Sequence, residues 1–116
     1  MKSKKRISVI LPSSVIKEIH ARMSDENYSL REKSKWISEA IEDFLQLKEY
    51  HALVEMAELL NDFAKTETVY ITPEIEEKID EAIIKVRTQY PALEGVKSLI
   101  VRASIIRRLV ILGKRQ

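Results

Sequence analysis

Residues 4–11, with the sequence KKRISVIL, have a basic start and then an apolar side chain at every second position from Ile7 to Leu11. Side chains point to opposite faces of a β-strand in turn, so Ile7, Val9 and Leu11 would share one apolar face that suits a core. The residues of the other face are Arg6, Ser8 and Ile10. This stretch therefore predicts a strand with one buried face and one contact surface.

Residues 66–71, with the sequence TETVYI, repeat this pattern with Val69 and Ile71 on the apolar face. The residues of the opposite face are Thr66, Thr68 and Tyr70. Each strand is followed by two stretches whose apolar residues recur at helical spacing, and a further such stretch connects the two halves. We expect helices over about residues 13–23, 33–47, 50–60, 73–90 and 96–112. Gly113 is expected to end the last helix, because glycine is favoured just after a helix C-terminus.

Composition limits the function classes. The 116 residues carry a formal net charge of only +2, but basic residues crowd both ends and acidic residues dominate the middle. The absence of cysteine excludes disulfides and thiolate zinc sites. The longest apolar run, residues 99–112, carries three arginines and is too short to span a bilayer. Without an apolar segment after the basic N-terminus, we expect a cytoplasmic protein rather than a secreted one.

The order strand, helix, loop, helix occurs twice. Val9 and Leu11 correspond to Val69 and Ile71, and the pair Lys33-Ser34 corresponds to Lys97-Ser98. A lone short strand has no hydrogen-bonding partner, so we expect the two strands to form an antiparallel ribbon with helices behind it. The sequence leaves open whether each strand pairs within its own chain or with a second copy in a homo-oligomer.

The first half contains KRISVILP at 5–12, VIKEI at 15–19 and KSKWISEAI at 33–41. In these stretches it resembles the ribbon-helix-helix fold of the Arc, MetJ and CopG repressors. With the duplication, the chain is similar to a tandem, TraY-like protein of this family. The expected fold is mainly α, with one short antiparallel two-stranded ribbon and two ribbon-helix-helix repeats in one intertwined domain. The boundaries expected are 1–47 for the first repeat, 48–65 for a helical connector and 66–116 for the second repeat.

The resemblance implies sequence-specific binding of double-stranded DNA, with the ribbon in the major groove. The base-contacting residues that it implies are Arg6, Ser8, Ile10, Thr66, Thr68 and Tyr70. Helix N-termini attract phosphates, and basic residues add attraction that does not depend on sequence. The expected phosphate-contacting residues are Lys2, Lys4, Lys5, Lys33, Ser34, Lys97 and Ser98. A transcriptional repressor or autoregulator is the first expectation, and a relaxosome or plasmid-partition accessory is the alternative.

Other site chemistry is not predicted. The chain has no paired nucleophile and base, no glycine-rich phosphate loop and no metal-ligand spacing, so we expect neither an enzyme nor a cofactor, metal or small-molecule ligand. Trp36 belongs to an apolar stripe and is expected in the core. A protein-interaction scaffold without DNA binding is a further alternative, because the second strand brings no basic residue and Glu67 would repel phosphates.

Overall fold

The computed structural model describes residues 4–57 and 64–114. These residues form two strands and five α-helices, with a short 3₁₀ turn at Leu30–Glu32. The strands are β1 (Lys5–Pro12) and β2 (Ala64–Ile71). The helices are α1 (Ser13–Asp25), α2 (Lys33–Leu45), α3 (Tyr50–Ala57), α4 (Pro73–Gln89) and α5 (Val96–Lys114).

The two strands pair with each other in a single antiparallel ribbon. Ser8 lies opposite Thr68 at its centre, and Lys5 and Pro12 lie opposite Ile71 and Ala64 at its ends. The described part of the chain therefore contains one ribbon, formed by β1 near the N-terminus and by β2, which follows α3 in the sequence. The prediction of two ribbon-helix-helix repeats is wrong, because each half supplies only one strand and has no ribbon of its own.

The helices also pack across the two halves of the sequence. The ribbon, α1, α2, α4 and α5 enclose one apolar cluster that includes Leu11, Trp36 and Ile105. A second cluster joins α2, α3, α4 and α5 and includes Phe44 and Val54. The predicted connector, 48–65, thus holds α3, which contributes buried side chains to the core, and the first residues of β2.

Local sequence explains where α4 and α5 begin. The hydroxyl of Thr72 accepts a hydrogen bond from the backbone N–H of Ile75 at 3.3 Å, and Pro73 occupies the first turn. Gly95 precedes α5 with φ of +63°, a backbone conformation that glycine adopts without strain. The expected end of α5 at Gly113 is wrong, because the helix continues through this residue to Lys114.

Candidate nucleic-acid interface

Six exposed side chains share the outward face of the ribbon. In an antiparallel pair, residues directly opposite each other lie on the same face. The register forms three such pairs, which are Arg6 with Tyr70, Ser8 with Thr68 and Ile10 with Thr66. All six side chains are exposed, and Ile10 and Tyr70 each retain 48% of their accessible surface. These six residues, called the outward face below, are the ones that the sequence places on the polar sides of its two strands.

Around its centre, the opposite face of the ribbon is apolar except at Glu67. Ile7, Val9 and Val69 are buried against the helices, as alternation predicts. Glu67 lies opposite Val9 and so points towards the same inner side. Its carboxylate forms an ion pair with the ammonium group of Lys33 at 2.8 Å, and both side chains are half-buried. The ribbon is therefore fixed on the helices by apolar packing and by one half-buried ion pair.

The starts of α2 and α5 hold the two edges of the ribbon. The hydroxyl of Ser34 accepts a hydrogen bond from the backbone N–H of Tyr70 at 2.9 Å. The hydroxyl of Ser98 accepts one from the backbone N–H of Ile10 at 3.2 Å. Each helix therefore contacts the strand of the other half. Because the edge N–H groups of a two-stranded ribbon have no strand partner, these contacts give one N–H group on each edge an acceptor and place the ribbon between two helix N-termini.

Arg102 adds a second contact at the β1 edge. Its guanidinium donates to the backbone carbonyl of Ile10 at 3.1 Å, so α5 satisfies both the N–H and the C=O of that residue. Burial lowers the pKa of Arg102 from its ordinary value. The sequence did not predict this role, because nothing in the residues around Arg102 indicates that its side chain will bind the backbone carbonyl of a distant residue.

The predicted phosphate-contacting lysines differ in their surroundings. Lys33 forms an ion pair with Glu67, and Lys5 forms an ion pair with Glu76 at 2.5 Å. The hydrogen bond to Glu76 raises the pKa of Lys5. Lys4 and Lys97 are exposed, whereas Lys2 lies outside the described residues. The described members of the predicted set therefore lie on or next to the ribbon or at the starts of α2 and α5, and two of them, Lys5 and Lys33, form ion pairs with acidic side chains.

A polar network joins the residue that follows α1, Glu26, to α2 and α5. Glu26 accepts hydrogen bonds from the indole N–H of Trp36 at 2.6 Å and from the guanidinium of Arg108 at 3.2 Å. The same guanidinium lies 4.5 Å from the centre of the Trp36 ring and donates to the Trp36 carbonyl. Trp36 is buried, as predicted, and the network orients it.

Metal-binding groups, membrane-spanning helices and cavities would indicate other kinds of site. They contain no group of three or more His, Cys, Asp or Glu side chains that could hold a metal ion. Across 4–57 and 64–114, no helix is both long enough and apolar enough to cross a membrane. An open cavity of about 360 Å³ lies between α3 and α4, and Tyr50, His51, Ile84 and Lys85 are part of its lining.

Comparison of the chain with protein-family models, with curated proteins and with solved structures finds no match. The case for a function therefore depends on the residues and geometry of this chain.

Proposed function

We propose that the protein binds double-stranded DNA sequence-specifically, by inserting the outward face of its ribbon into the major groove. The observation that carries the proposal is the set of three exposed cross-strand pairs on a ribbon whose edges are held by the starts of α2 and α5. A two-stranded ribbon fits a groove about 12 Å wide, since its strands lie about 5 Å apart.

The outward face has the reach and the chemistry for base contacts. From Arg6 to Ile10 a strand advances about 14 Å, which is the length of about four base pairs. Arg6 can donate two hydrogen bonds to the O6 and N7 acceptors of guanine, and the hydroxyl of Ser8 can donate or accept. Ile10 can pack against a thymine methyl group. The starts of α2 and α5 would then face the phosphates on either side of the groove.

Because unlike strands form the ribbon, the proposed target is asymmetric. Each pair combines a different residue from each strand, with Arg6 opposite Tyr70 at one end. The half that contains Arg6 would make the strongest base contact. Transcriptional repression or autoregulation in a prokaryotic cytoplasm is the role that we propose first, and an accessory role in conjugative transfer or plasmid partition uses the same DNA chemistry.

Binding of selected duplexes by parent protein and by an Arg6→Ala variant tests the proposal. The variant should lose about 1–3 kcal/mol of specific binding and relax the preference at one base position. Arg87→Ala is the matched control, because Arg87 is exposed near the C-terminal end of α4, about 21 Å along the helix from its start. Equal losses in the two variants, or no loss in Arg6→Ala, would refute base reading by Arg6.

A protein-interaction surface is the second candidate function. It is favoured by the exposed apolar side chains of Ile10 and Tyr70 and by the neutralisation of Lys5 and Lys33. Titration with duplexes over a range of salt concentrations separates the two candidates. A DNA-binding protein loses affinity steeply as salt rises, whereas a scaffold binds no duplex even at low salt.

A further inference from the structure

The two lysines in the first turns of the helices that flank the ribbon, Lys33 and Lys97, have different electrostatic surroundings. Lys33 is the first residue of α2, and its ammonium group lies 2.8 Å from the Glu67 carboxylate. Lys97 occupies the corresponding position near the start of α5 and is exposed. Among the described residues, the ion pairs do not include Lys97.

Lys33 and Lys97 differ because only β2 has an acidic residue at the matching position. In the alignment that matches Val9 with Val69, the residue of β1 that corresponds to Glu67 is Ile7. Ile7 is buried and apolar, so β1 offers no carboxylate to Lys97. The Lys33–Glu67 pair retains only 27% and 19% of the two side chains' accessible surface, so water screens it less than a fully exposed pair.

We propose that Glu67 withholds Lys33 from DNA, so that the protein grips the phosphate backbone more strongly on the α5 side of the ribbon than on the α2 side. This inference rests on the proposed function. A phosphate that approaches Lys33 competes with the Glu67 carboxylate and is repelled by its charge. A phosphate that approaches Lys97 does not compete with the Glu67 carboxylate and is not repelled by it. Glu67 thus weakens non-specific affinity and gives the bound protein a preferred orientation.

Glu67→Gln tests the inference, because it removes the charge and keeps the shape of the side chain. Affinity for a random-sequence duplex in about 50 mM salt should rise several-fold, on the order of five- to tenfold. The slope of log affinity against log salt should become steeper by about 0.9, the value for one additional phosphate contact. In the parent, Lys97→Ala should reduce that slope by a similar amount, and Lys33→Ala should change it little.

Asp43→Asn is the matched control, since it also removes one negative charge. Asp43 is exposed and lies on α2, the helix of Lys33, about 15 Å along the axis from that lysine. A gain in Glu67→Gln that exceeds the gain in Asp43→Asn and disappears in the double variant Lys33→Ala/Glu67→Gln supports the inference. Equal gains in the two single variants, or equal losses in Lys33→Ala and Lys97→Ala, overturn it while leaving DNA binding intact. If the parent binds no duplex at this salt concentration, the proposed function fails and this inference fails with it.

Discussion

Replacing either ribbon-holding serine by alanine should release one identified backbone N–H group. In Ser98→Ala the N–H of Ile10 loses its acceptor, and in Ser34→Ala the N–H of Tyr70 loses its acceptor. Both N–H groups point away from the opposite strand, so no ladder hydrogen bond replaces the lost contact. Each variant should therefore loosen one edge of the ribbon and leave the other edge unchanged.

The magnitude follows from the hydrogen bond that is lost. A hydrogen bond of this kind contributes about 1 kcal/mol net, which corresponds to a change of about fivefold in an equilibrium constant. Protection of the released N–H against hydrogen exchange should fall by about that factor. The effect should be larger for Tyr70 than for Ile10, because its contact with Ser34 is shorter, 2.9 Å against 3.2 Å.

Amide hydrogen exchange followed by NMR measures both sites in one experiment, and each variant serves as the control for the other. Ser98→Ala should accelerate exchange at Ile10 and leave Tyr70 at the parent rate, and Ser34→Ala should do the reverse. Unchanged exchange at both sites in both variants would refute the assignment of these serines as edge contacts. Equal acceleration at both sites would instead indicate a general loss of stability.

The remaining predictions concern stability. Glu26→Ala should lower the free energy of unfolding by about 1–3 kcal/mol, because Trp36 and Arg108 lose a shared hydrogen-bond acceptor. Urea unfolding measures this free energy, and an unchanged unfolding midpoint would refute a stabilising role for these hydrogen bonds. The backbone N–H and the hydroxyl of Ser29 donate hydrogen bonds to the Glu32 carboxylate and lower the pKa of Glu32. The ionised carboxylate therefore stabilises the fold fully above the ordinary glutamate pKa, and this stabilisation is lost as the pH falls through the lowered pKa of Glu32. Glu32→Gln should therefore weaken the acid-side dependence of stability in urea unfolding from pH 7 to pH 3, and an identical pH profile in parent and variant would contradict this.

Alternation along residues 5–11 was sufficient to predict which side chains face the core. Ile7, Val9 and Leu11 are buried and Arg6, Ser8 and Ile10 are exposed, because a strand on an apolar layer has only two faces. The start of α4 was also predictable, since the hydroxyl of Thr72 and the ring of Pro73 act within one turn. Features of this kind depend on residues close together in sequence.

The contacts that define the candidate interface depend on residues far apart in sequence and could not be predicted in this way. The pairing of Glu67 with Lys33 follows from the register of the ribbon and from the packing of α2 beside β2. Sequence reasoning treated Glu67 as a charge that repels phosphates and Lys33 as one that attracts them, and did not bring them together. The failure at Gly113 has a different cause: glycine is tolerated within a helix at a cost of about 1 kcal/mol.

Selection of bound sequences from a random pool of double-stranded DNA tests the central claim most directly. The protein should enrich one short motif of about four base pairs that includes a guanine, and the motif should be asymmetric, because Arg6 and Tyr70 occupy opposite strands of one ribbon. Failure to enrich any sequence would contradict the proposal that the outward face reads DNA. A palindromic motif would contradict recognition by a single ribbon made of two unlike strands.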